Sequence, residues 1–291
     1  MEILMCAAVI IDGKQISSDL SQDLSLKIKH LQQNHKITPN LAVILVGDDP
    51  ASHIYVANKI KKAHEIGIKI SSYLLPATTP EDKIITLIKS LNEDRSVNGI
   101  LVQLPLPAYI NTHKVINTID HMKDVDGFTV KNIGLLNSWQ DCLEPSTPQG
   151  ALILIKKFIG NNLAGKKAVI LGRSLIVGRP MASILIRESC AVTVLNSYSV
   201  DIAEECATAD ILICAIGKPN FLTAKFVKKG ACVIDIGITR VGDKVLGDVN
   251  MDEVKKVAGF LTPVPGGVGP MTVVCMLGNT VKAYLTQHQI K

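Results

Sequence analysis

Short apolar runs alternate with helix-like segments along the first half of the chain. Residues 41–46 (LAVILV) form a continuous apolar run, and residues 51–66 contain good helix formers without an internal Gly or Pro. Further apolar runs follow at residues 68–75 and 99–105. Because runs that are apolar on both faces are typical of strands covered by helices, this order predicts an α/β fold on a parallel sheet.

A second series of strands and helices begins after the TPQG sequence at residues 147–150. Its predicted strands are 166–171, 191–195, 209–216 and 231–238. We therefore predict an α/β fold with two domains and a cleft between them. Residues 1–147 form an N-terminal α/β domain, and residues 148–271 form a Rossmann-type dinucleotide-binding domain. A final helix at residues 272–291 is expected to pack back onto the first domain.

Composition narrows the class of partner. The chain has 291 residues, is 47% hydrophobic and carries a net charge of +5 that is spread along the sequence. A dispersed charge does not favour nucleic acid, whereas a mildly basic site suits a small anionic molecule. The apolar residues 3–11 are too short and lack the basic flank of a signal sequence, so we predict a first strand there.

The seven cysteines contain no C-x-x-C pair. This usage is typical of a reduced, cytoplasmic protein without a cysteine-based metal site. No run reaches the ~18 apolar residues that a membrane span needs, so we expect no membrane partner.

Tyr55 and Lys59 lie four residues apart on the helix predicted after the first buried strand. They therefore share a face, which offers an aromatic ring beside an amine. The ring can stack on a flat heterocycle, and an amine partly removed from water can exchange protons near neutral pH. Taken alone, the pair also fits an ordinary surface helix with a half-buried Tyr and a solvated Lys.

Two further polar groups follow strands or turns. Gln103 lies at the carboxyl end of the strand at residues 99–105, where ligands gather in open α/β sheets, although a Gln there can also make only an edge hydrogen bond. Asp126 belongs to the acidic turn at residues 123–128 (KDVDGF). Asp followed by Gly is common turn chemistry, so this motif alone does not define a site.

The turn at residues 172–180 (GRSLIVGRP) follows a predicted strand and enters a helix. Its glycines are six apart, so it is not the G-x-G-x-x-G fingerprint, but the position allows backbone amides and the helix N-terminus to receive a pyrophosphate. The next strand ends in Asn196-Ser197 without the acid that often contacts the ribose in NAD sites. Arg173 and Ser197 could instead face a 2′-phosphate.

Six motifs, in this order, resemble the bifunctional methylenetetrahydrofolate dehydrogenase/methenyltetrahydrofolate cyclohydrolase family over essentially the whole chain. The most specific is the last, PVPGGVGPMT. The motifs are residues 46–52 (VGDDPAS), Tyr55-x-x-x-Lys59, residues 99–107 (GILVQLPLP), residues 123–128 (KDVDGF), residues 172–181 (GRSLIVGRPM) and residues 263–272.

The resemblance implies NADP-linked oxidation of 5,10-methylenetetrahydrofolate, hydrolysis to 10-formyltetrahydrofolate, a cytoplasmic homodimer and no catalytic metal. It also implies that residues 1–147 are the folate-binding and catalytic domain. The implied catalytic residues are Lys59, Gln103, Tyr55 and Asp126. Lys59 is the central residue, and Gln103 orients its amine. Tyr55 stacks on the folate, and Asp126 binds the pterin. The implied folate-binding residues are Tyr55, Gln103, Pro105, Asp126, Pro265, Gly266 and Gly267. The implied dinucleotide-binding residues are Gly172, Arg173, Ser174, Gly178, Ser197 and Ile238.

This sequence departs from the family pattern at two places. His53 stands where Gln is common, and Asn196-Ser197-Tyr198 replaces a more usual His/Arg-Ser-Lys type of sequence. The second departure places Tyr198 where a base could contact the 2′-phosphate of NADP.

Two other classes of protein share part of this pattern. Short-chain dehydrogenases also carry Tyr-x-x-x-Lys, but there the pair follows the Gly-rich turn, whereas here it precedes that turn. A catalytically silent folate- or nucleotide-binding regulator would not need Lys59, Gln103 and Asp126 together.

Overall fold

The computed structural model describes residues 7–35 and 38–290. The helices of this part are α1 (Gly13–His35), α2 (Pro50–Ile66), α3 (Glu81–Glu93), α4 (Thr112–Ile116), α5 (Val130–Asn137), α6 (Ser146–Ile159), α7 (Gly178–Arg187), α8 (Ile202–Cys206), α9 (Met251–Val254) and α10 (Val268–Gln287), with a 3₁₀ helix at Ala224–Phe226. The strands are β1 (Val9–Ile10), β2 (Asn40–Val46), β3 (Lys69–Leu75), β4 (Gly99–Val102), β5 (Lys167–Leu171), β6 (Ala191–Leu195), β7 (Ile211–Cys214), β8 (Cys232–Asp235), β9 (Thr239–Val241), β10 (Lys244–Leu246) and β11 (Phe260–Leu261).

The chain divides into two compact units. We call residues 18–146 and 273–290 the three-stranded unit, and residues 7–17 and 147–272 the six-stranded unit, in both cases counting only described residues. The expectation of a two-domain α/β fold with parallel sheets is confirmed.

The three-stranded unit is built on a parallel sheet of order β3-β2-β4. Every residue of the central strand β2 is buried. Alternate β2 side chains enter different cores because successive side chains of a strand point to opposite faces. Leu41, Val43 and Leu45 pack with the buried side of α10, including Tyr284, whereas residues 42, 44 and 46 pack with α3.

The six-stranded unit is built on a parallel sheet of order β1-β11-β8-β7-β5-β6. The chain passes from β5 to β6 on one side and then crosses to β7 on the other side of β5. The strand order therefore reverses at β5, and this reversal is the switch point where doubly wound sheets bind ligands. A separate antiparallel hairpin of β9 and β10 projects from the loop after β8.

The structure changes two details of the predicted organisation. The first strand pairs with β11 by way of Val9↔Phe260 and Ile10↔Leu261, so residues 7–17 belong to the six-stranded unit and not to the domain assigned to residues 1–147. Residues 3–6 of the predicted strand 3–11 lie outside the described residues. The second sheet also has two strands more than the four predicted, because the predicted first strand joins it as β1 and because β11 is too short to give a periodic signal.

Of the helices in residues 7–35 and 38–290, none combines the length and the apolar character that crossing a bilayer requires.

Candidate active site

Tyr55 and Lys59 lie on helix α2, which is capped at both ends. The Asp49 side chain accepts a hydrogen bond from the Ser52 N–H at 2.8 Å, and Gly67 ends the helix in the left-handed conformation with φ of 92°. Tyr55 is 42% exposed, so its ring is available for stacking, whereas Lys59 is only partly exposed. The sequence-based placement of both on one helix is correct.

Gln103 follows β4 and is held in a defined orientation. Its backbone N–H donates to the Ile44 carbonyl at 2.9 Å, which extends the sheet ladder by one residue. Its side-chain Nε2 donates to the Leu104 carbonyl at 2.6 Å, and its Oε1 accepts from Lys59 Nζ at 3.1 Å. Because the amide nitrogen is occupied by a carbonyl, the amide oxygen is directed to the lysine. Pro105 follows this group across a cis peptide bond and is exposed.

The segment that carries Asp126 runs beside β4. Asp124 pairs with Ile100 in a parallel bridge, and the Ile100 N–H donates to the Lys123 carbonyl at 2.7 Å. Since parallel neighbours advance together, Asp126 and Gln103 emerge at the same edge of the sheet.

Two buried charges anchor this turn. Lys123 Nζ donates to the carbonyls of Leu91, Asn92 and Asp94 at 2.8–2.9 Å, at the C-terminal end of α3. Asp124 accepts from the N–H groups of residues 127 and 129 and from the Asn132 side chain. The turn is therefore fixed on both sides of the half-buried Asp126.

The electrostatics of Asp126 couple it to Lys59. Burial raises the pKa of Asp126 to about 6, the nearby ammonium of Lys59 acts to lower that pKa, and the Asp124 carboxylate acts to raise it. The three-stranded unit thus gathers an amine, an amide that orients the amine and a carboxyl group at one sheet edge. This set can hold a polar heterocycle and move a proton.

The six-stranded unit places the Gly172 turn at its switch point. Gly172 has φ of 114°, and a Cβ there would overlap the Ala215 carbonyl oxygen. A Cβ at Gly178 would overlap the Gly172 carbonyl oxygen, so both positions need glycine for close backbone packing. Ser174 Oγ accepts from the N–H of Val177 at 3.1 Å and thereby shapes the entry to α7. This cradle fits the pyrophosphate of a dinucleotide.

Arg173 and Ser197 are both exposed near the end of β6. The Arg173 guanidinium lies 6.0 Å from the centroid of the Tyr198 ring, so the aromatic residue that replaces the usual base contacts the arginine. The turn after β6 is closed by the N–H of Asn196, which donates to Ser199 Oγ at 3.0 Å. No carboxylate ends β6, which ends in Leu195 and is followed by Asn196.

Ile238 and the loop at residues 263–267 follow β8 and β11 in the same unit. Ile238 is 46% exposed, which leaves an apolar side chain available for a ligand. Pro265 is exposed and preceded by a cis peptide bond, and Gly266 has φ of 109°. The Gly267 N–H donates to the Pro263 carbonyl at 2.8 Å, so this loop is closed on itself.

The sequence reading missed one group of residues at the switch point. Residues 216–218 lie in the loop after β7, next to the Gly172 turn, and are held by Asp248. The Gly217-Lys218-Pro219 sequence after a strand was the available signal for the loop, but nothing marked Asp248, which lies far along the chain. Among the residues that the structure describes, no group of three or more His, Cys, Asp or Glu side chains is placed to hold a metal ion.

A doubly wound sheet with a glycine cradle, together with an amine–amide–carboxyl cluster, defines a dinucleotide-linked α/β enzyme. Two family models match the chain: tetrahydrofolate dehydrogenase/cyclohydrolase, catalytic domain, at residues 11–126, and tetrahydrofolate dehydrogenase/cyclohydrolase, NAD(P)-binding domain, at residues 145–288. The chain belongs to the tetrahydrofolate dehydrogenase/cyclohydrolase family, and the resemblance inferred from its motifs is confirmed.

Relatives and solved structures agree with this assignment. The Bifunctional protein FolD of Wolbachia sp. subsp. Drosophila simulans (strain wRi) is 53% identical over 284 residues, 97% of each chain. The Campylobacter jejuni bifunctional enzyme FolD, a methylenetetrahydrofolate dehydrogenase/cyclohydrolase, is 43% identical with a TM-score of 0.93 over 96% of this chain and 99% of that chain. The Trypanosoma brucei FolD, complexed with NADP cofactor and inhibitor, is 34% identical with a TM-score of 0.94 over 97% and 99%.

Proposed function

We propose that this enzyme oxidises 5,10-methylenetetrahydrofolate with NADP and hydrolyses the product to 10-formyltetrahydrofolate, with Lys59 as the proton carrier of the second step. The observation that carries the assignment of Lys59 is its hydrogen bond to Gln103 Oε1 at 3.1 Å, beside Asp126. Family membership indicates the reaction, and the geometry of the sheet edge supports the proposed residue roles.

The oxidation removes a hydride from the carbon that lies between two folate nitrogens. NADP accepts the two electrons and the hydrogen of this hydride, and the nitrogen lone pairs stabilise the methenyl cation that remains. This step mainly needs the folate and the nicotinamide in contact, so the protein contributes alignment. Tyr55 supplies it by stacking on the folate, and Asp126 by accepting hydrogen bonds from the pterin N–H groups.

The hydrolysis needs protons to move. Water attacks the methenyl carbon and loses a proton, and the carbon–nitrogen bond that breaks leaves a nitrogen that accepts one. A positioned acid or base typically contributes about 10²–10⁴-fold to such steps. Lys59 carries this proton, while Gln103 directs its amine because the Gln103 amide nitrogen is already bound to the Leu104 carbonyl.

The residues proposed to hold NADP are Gly172, Arg173, Ser174, Gly178, Ser197 and Ile238. The glycine cradle suits the pyrophosphate, and Ile238 offers an exposed apolar side chain. Arg173 can pair with a 2′-phosphate in bidentate fashion, which an NAD site would not need. Pro105 and residues 265–267 are proposed to shape the folate pocket.

The function is tested with purified enzyme, methylenetetrahydrofolate and each dinucleotide in turn. Reduced cofactor and methenyl-folate are followed separately by absorbance. We expect reduced cofactor to form faster with NADP than with NAD, and methenyl-folate to be consumed. Absence of reduced cofactor with both dinucleotides would leave only the binding-protein alternative.

We also propose that the enzyme is a homodimer. The family resemblance suggests it, and β6 supports it because this strand lies at the end of the sheet order, with Val194 and the following Val200 exposed. Light scattering after gel filtration should give twice the mass of 31.3 kDa. A monomer at micromolar concentration would contradict the proposal.

A cytoplasmic location is proposed from cysteine chemistry. Cys142, Cys190, Cys206, Cys214, Cys232 and Cys275 are all buried as free thiols. Thiols in this state fit a reducing compartment. Cell fractionation checks the location, and recovery with secreted or membrane fractions would contradict it.

A further inference from the structure

Asp248 is a fully buried carboxylate that binds one loop. Its Oδ2 accepts from the N–H groups of Ile216 at 2.7 Å and Gly217 at 3.0 Å, and its Oδ1 accepts from the Lys218 N–H at 2.7 Å. These three residues begin two positions after the end of β7. Three consecutive amide groups bound to one carboxylate leave the loop a single backbone arrangement.

Asp235, the last residue of β8, binds the neighbouring loop in the same manner. Its carboxylate accepts from the N–H groups of Gly237 at 3.2 Å, Asp248 at 3.0 Å and Val249 at 2.9 Å. Its own N–H donates to Thr262 Oγ1 at 2.7 Å. Asp235 therefore fixes both the start of the loop that leads to Ile238 and the backbone of Asp248.

Two glycines give these carboxylates room. A Cβ at Gly237 would overlap the Asp248 carboxyl group, and a Cβ at Gly247 would overlap the Asp235 carboxyl group. The arrangement carries an electrostatic cost, because burial above all, and also the Asp248 carboxylate, raise the pKa of Asp235 to about 7. A pair of carboxylates in an apolar interior is an expensive way to stabilise a fold, since apolar residues of similar volume often do so equally well.

The position of Asp235 and Asp248 in the sheet suggests a function for these two buried carboxylates. Both loops leave the carboxyl ends of β7 and β8, the edge at which doubly wound sheets bind ligands. The loop after β7 lies against the Gly172 turn, because a Cβ at Gly172 would overlap the Ala215 carbonyl oxygen. The two carboxylates thus hold the backbone that surrounds the cradle.

We propose that Asp248 and Asp235 are positioning residues for the dinucleotide, which keep residues 216–218 and 237–238 in the binding arrangement before the cofactor arrives. The proposal rests on the NADP-linked function proposed above. A preformed loop loses less conformational freedom on binding than a mobile one, so the benefit falls on affinity and not on the chemical step.

The test is Asp248→Asn, with binding of NADP measured by calorimetry. Asparagine keeps the shape, but its Nδ2 faces the N–H donors of the loop and cannot accept from them. We expect the Kd for NADP to rise about tenfold or more. The dehydrogenase kcat at saturating NADP and the hydrolysis of supplied methenyl-folate should stay within about twofold of the wild type, because neither depends on how readily the loop is ordered.

The matched control is Asp210→Asn. Asp210 lies just before β7 at the opposite end of the same strand, and its carboxylate accepts from the Lys167 N–H and from Lys228 Nζ. It should leave the Kd for NADP unchanged. An unchanged Kd in Asp248→Asn, or parallel losses of NADP affinity and methenyl-folate hydrolysis, would overturn the positioning role and leave a purely structural one.

A variant-free measurement covers the case in which Asp248→Asn does not fold. Hydrogen exchange in the free wild-type enzyme should show slow amide exchange at Ile216, Gly217 and Lys218, with little further protection when NADP is added. Fast exchange that becomes slow only with NADP would contradict preorganisation. An enzyme that reduces neither dinucleotide would refute the proposed function itself, which is a different result from an active enzyme with an unaffected Asp248→Asn variant.

Discussion

The two units present different groups at the same place in their sheets. At the carboxyl edge of the three-stranded sheet the groups that we propose to act are side chains, namely the Lys59 amine, the Gln103 amide and the Asp126 carboxyl group. At the corresponding edge of the six-stranded sheet they are mostly backbone, shaped by Gly172 and Gly178 and by buried carboxylates.

This difference follows from the two proposed tasks, which are proton transfer in the three-stranded unit and dinucleotide binding in the six-stranded unit. A proton must be carried by a group that titrates or exchanges it, so the hydrolytic step depends on a small number of side chains. A pyrophosphate needs several N–H donors in a fixed array, which a glycine turn and a helix start provide without any side chain. We therefore expect side-chain removal to be severe and step-specific in the first unit. In the second unit, backbone changes should be the damaging ones.

The largest effect is expected for Lys59→Met. Methionine keeps the length of the side chain but carries no proton, so hydrolysis of methenyl-folate should fall by about 10²–10⁴-fold. The dehydrogenase activity should fall less, so that methenyl-folate accumulates. Stopped assays of both activities check this.

The control for Lys59→Met is Lys61→Met, which removes an exposed charge from the same helix and should change neither activity. Equal losses of the two activities in Lys59→Met would mean that Lys59 only positions the folate. The proposed contrast between side-chain chemistry in the three-stranded unit and backbone chemistry in the six-stranded unit would then fail, because no side chain of the three-stranded unit would be shown to carry a proton.

Gly172→Ala should give the next largest effect, and it tests the backbone side of the comparison. A left-handed conformation at a non-glycine residue costs about 1–3 kcal/mol, and here the methyl group also overlaps the Ala215 carbonyl oxygen. We expect a lower free energy of unfolding and weaker NADP binding, measured by denaturant titration and calorimetry.

Gly160→Ala separates the two causes. Gly160 also has a positive φ, of 95°, but a Cβ there meets nothing within 4 Å. It should lose stability through strain alone and keep its affinity for NADP. If Gly172→Ala binds NADP as tightly as Gly160→Ala does, close packing of the cradle is not needed for the cofactor.

Arg173→Ala addresses the one side chain of the second unit that we expect to read the cofactor. Loss of a bidentate, exposed contact to a 2′-phosphate should weaken NADP about tenfold and NAD much less. Arg240→Ala, in the hairpin of β9 and β10, removes a charge of the same unit and should affect neither dinucleotide. Equal losses for NADP and NAD in Arg173→Ala would show that Arg173 does not read the phosphate.

The positions of Tyr55, Lys59, Gln103 and the glycine turn could be predicted from the sequence because the signals for them are local. A buried strand, a capped helix and the spacing from Tyr55 to Lys59 place those two side chains without any long-range information. Gln103 was predictable because the end of a strand is itself a local signal, and the glycine turn at residues 172–178 was predictable for the same reason.

What the sequence could not give depends on contacts between distant segments. The pairing of Val9 with Phe260 joins residues far apart in the chain, and two-residue strands have no period to detect. Asp248 acts on a loop about thirty positions earlier, and its neighbourhood resembles an ordinary polar turn. The elevated pKa of Asp126 depends on burial, which Asp-Gly turn chemistry alone does not indicate.

The smallest expected effect concerns the titration of Asp126. Its pKa is raised to about 6 by burial, with Lys59 acting in the opposite direction. Only the carboxylate can accept a hydrogen bond at each oxygen from the pterin, so the dehydrogenase kcat/KM for the folate should increase with pH through about 6. The increase should be absent in Asp126→Asn and should move to higher pH in Lys59→Met, because removal of the ammonium raises the pKa of Asp126 further. An unshifted profile in Lys59→Met would break the electrostatic coupling between these two residues.

The same titration has a consequence for stability that does not depend on substrate. The pKa of Asp126 in the folded protein lies above the value of about 3.9 in an unfolded chain. Between roughly pH 4 and pH 6 the folded protein therefore binds the proton more tightly, and the contribution of Asp126 to the free energy of unfolding decreases as the pH rises through that range. Asp126→Asn has no such loss, so the difference between its free energy of unfolding and that of the wild type should shift in favour of the variant from about pH 4 to about pH 7. Denaturant titrations at both pH values measure the difference. A shift in favour of the wild type with rising pH would mean that the carboxylate is stabilised in the folded protein, contrary to the direction in which burial moves its pKa.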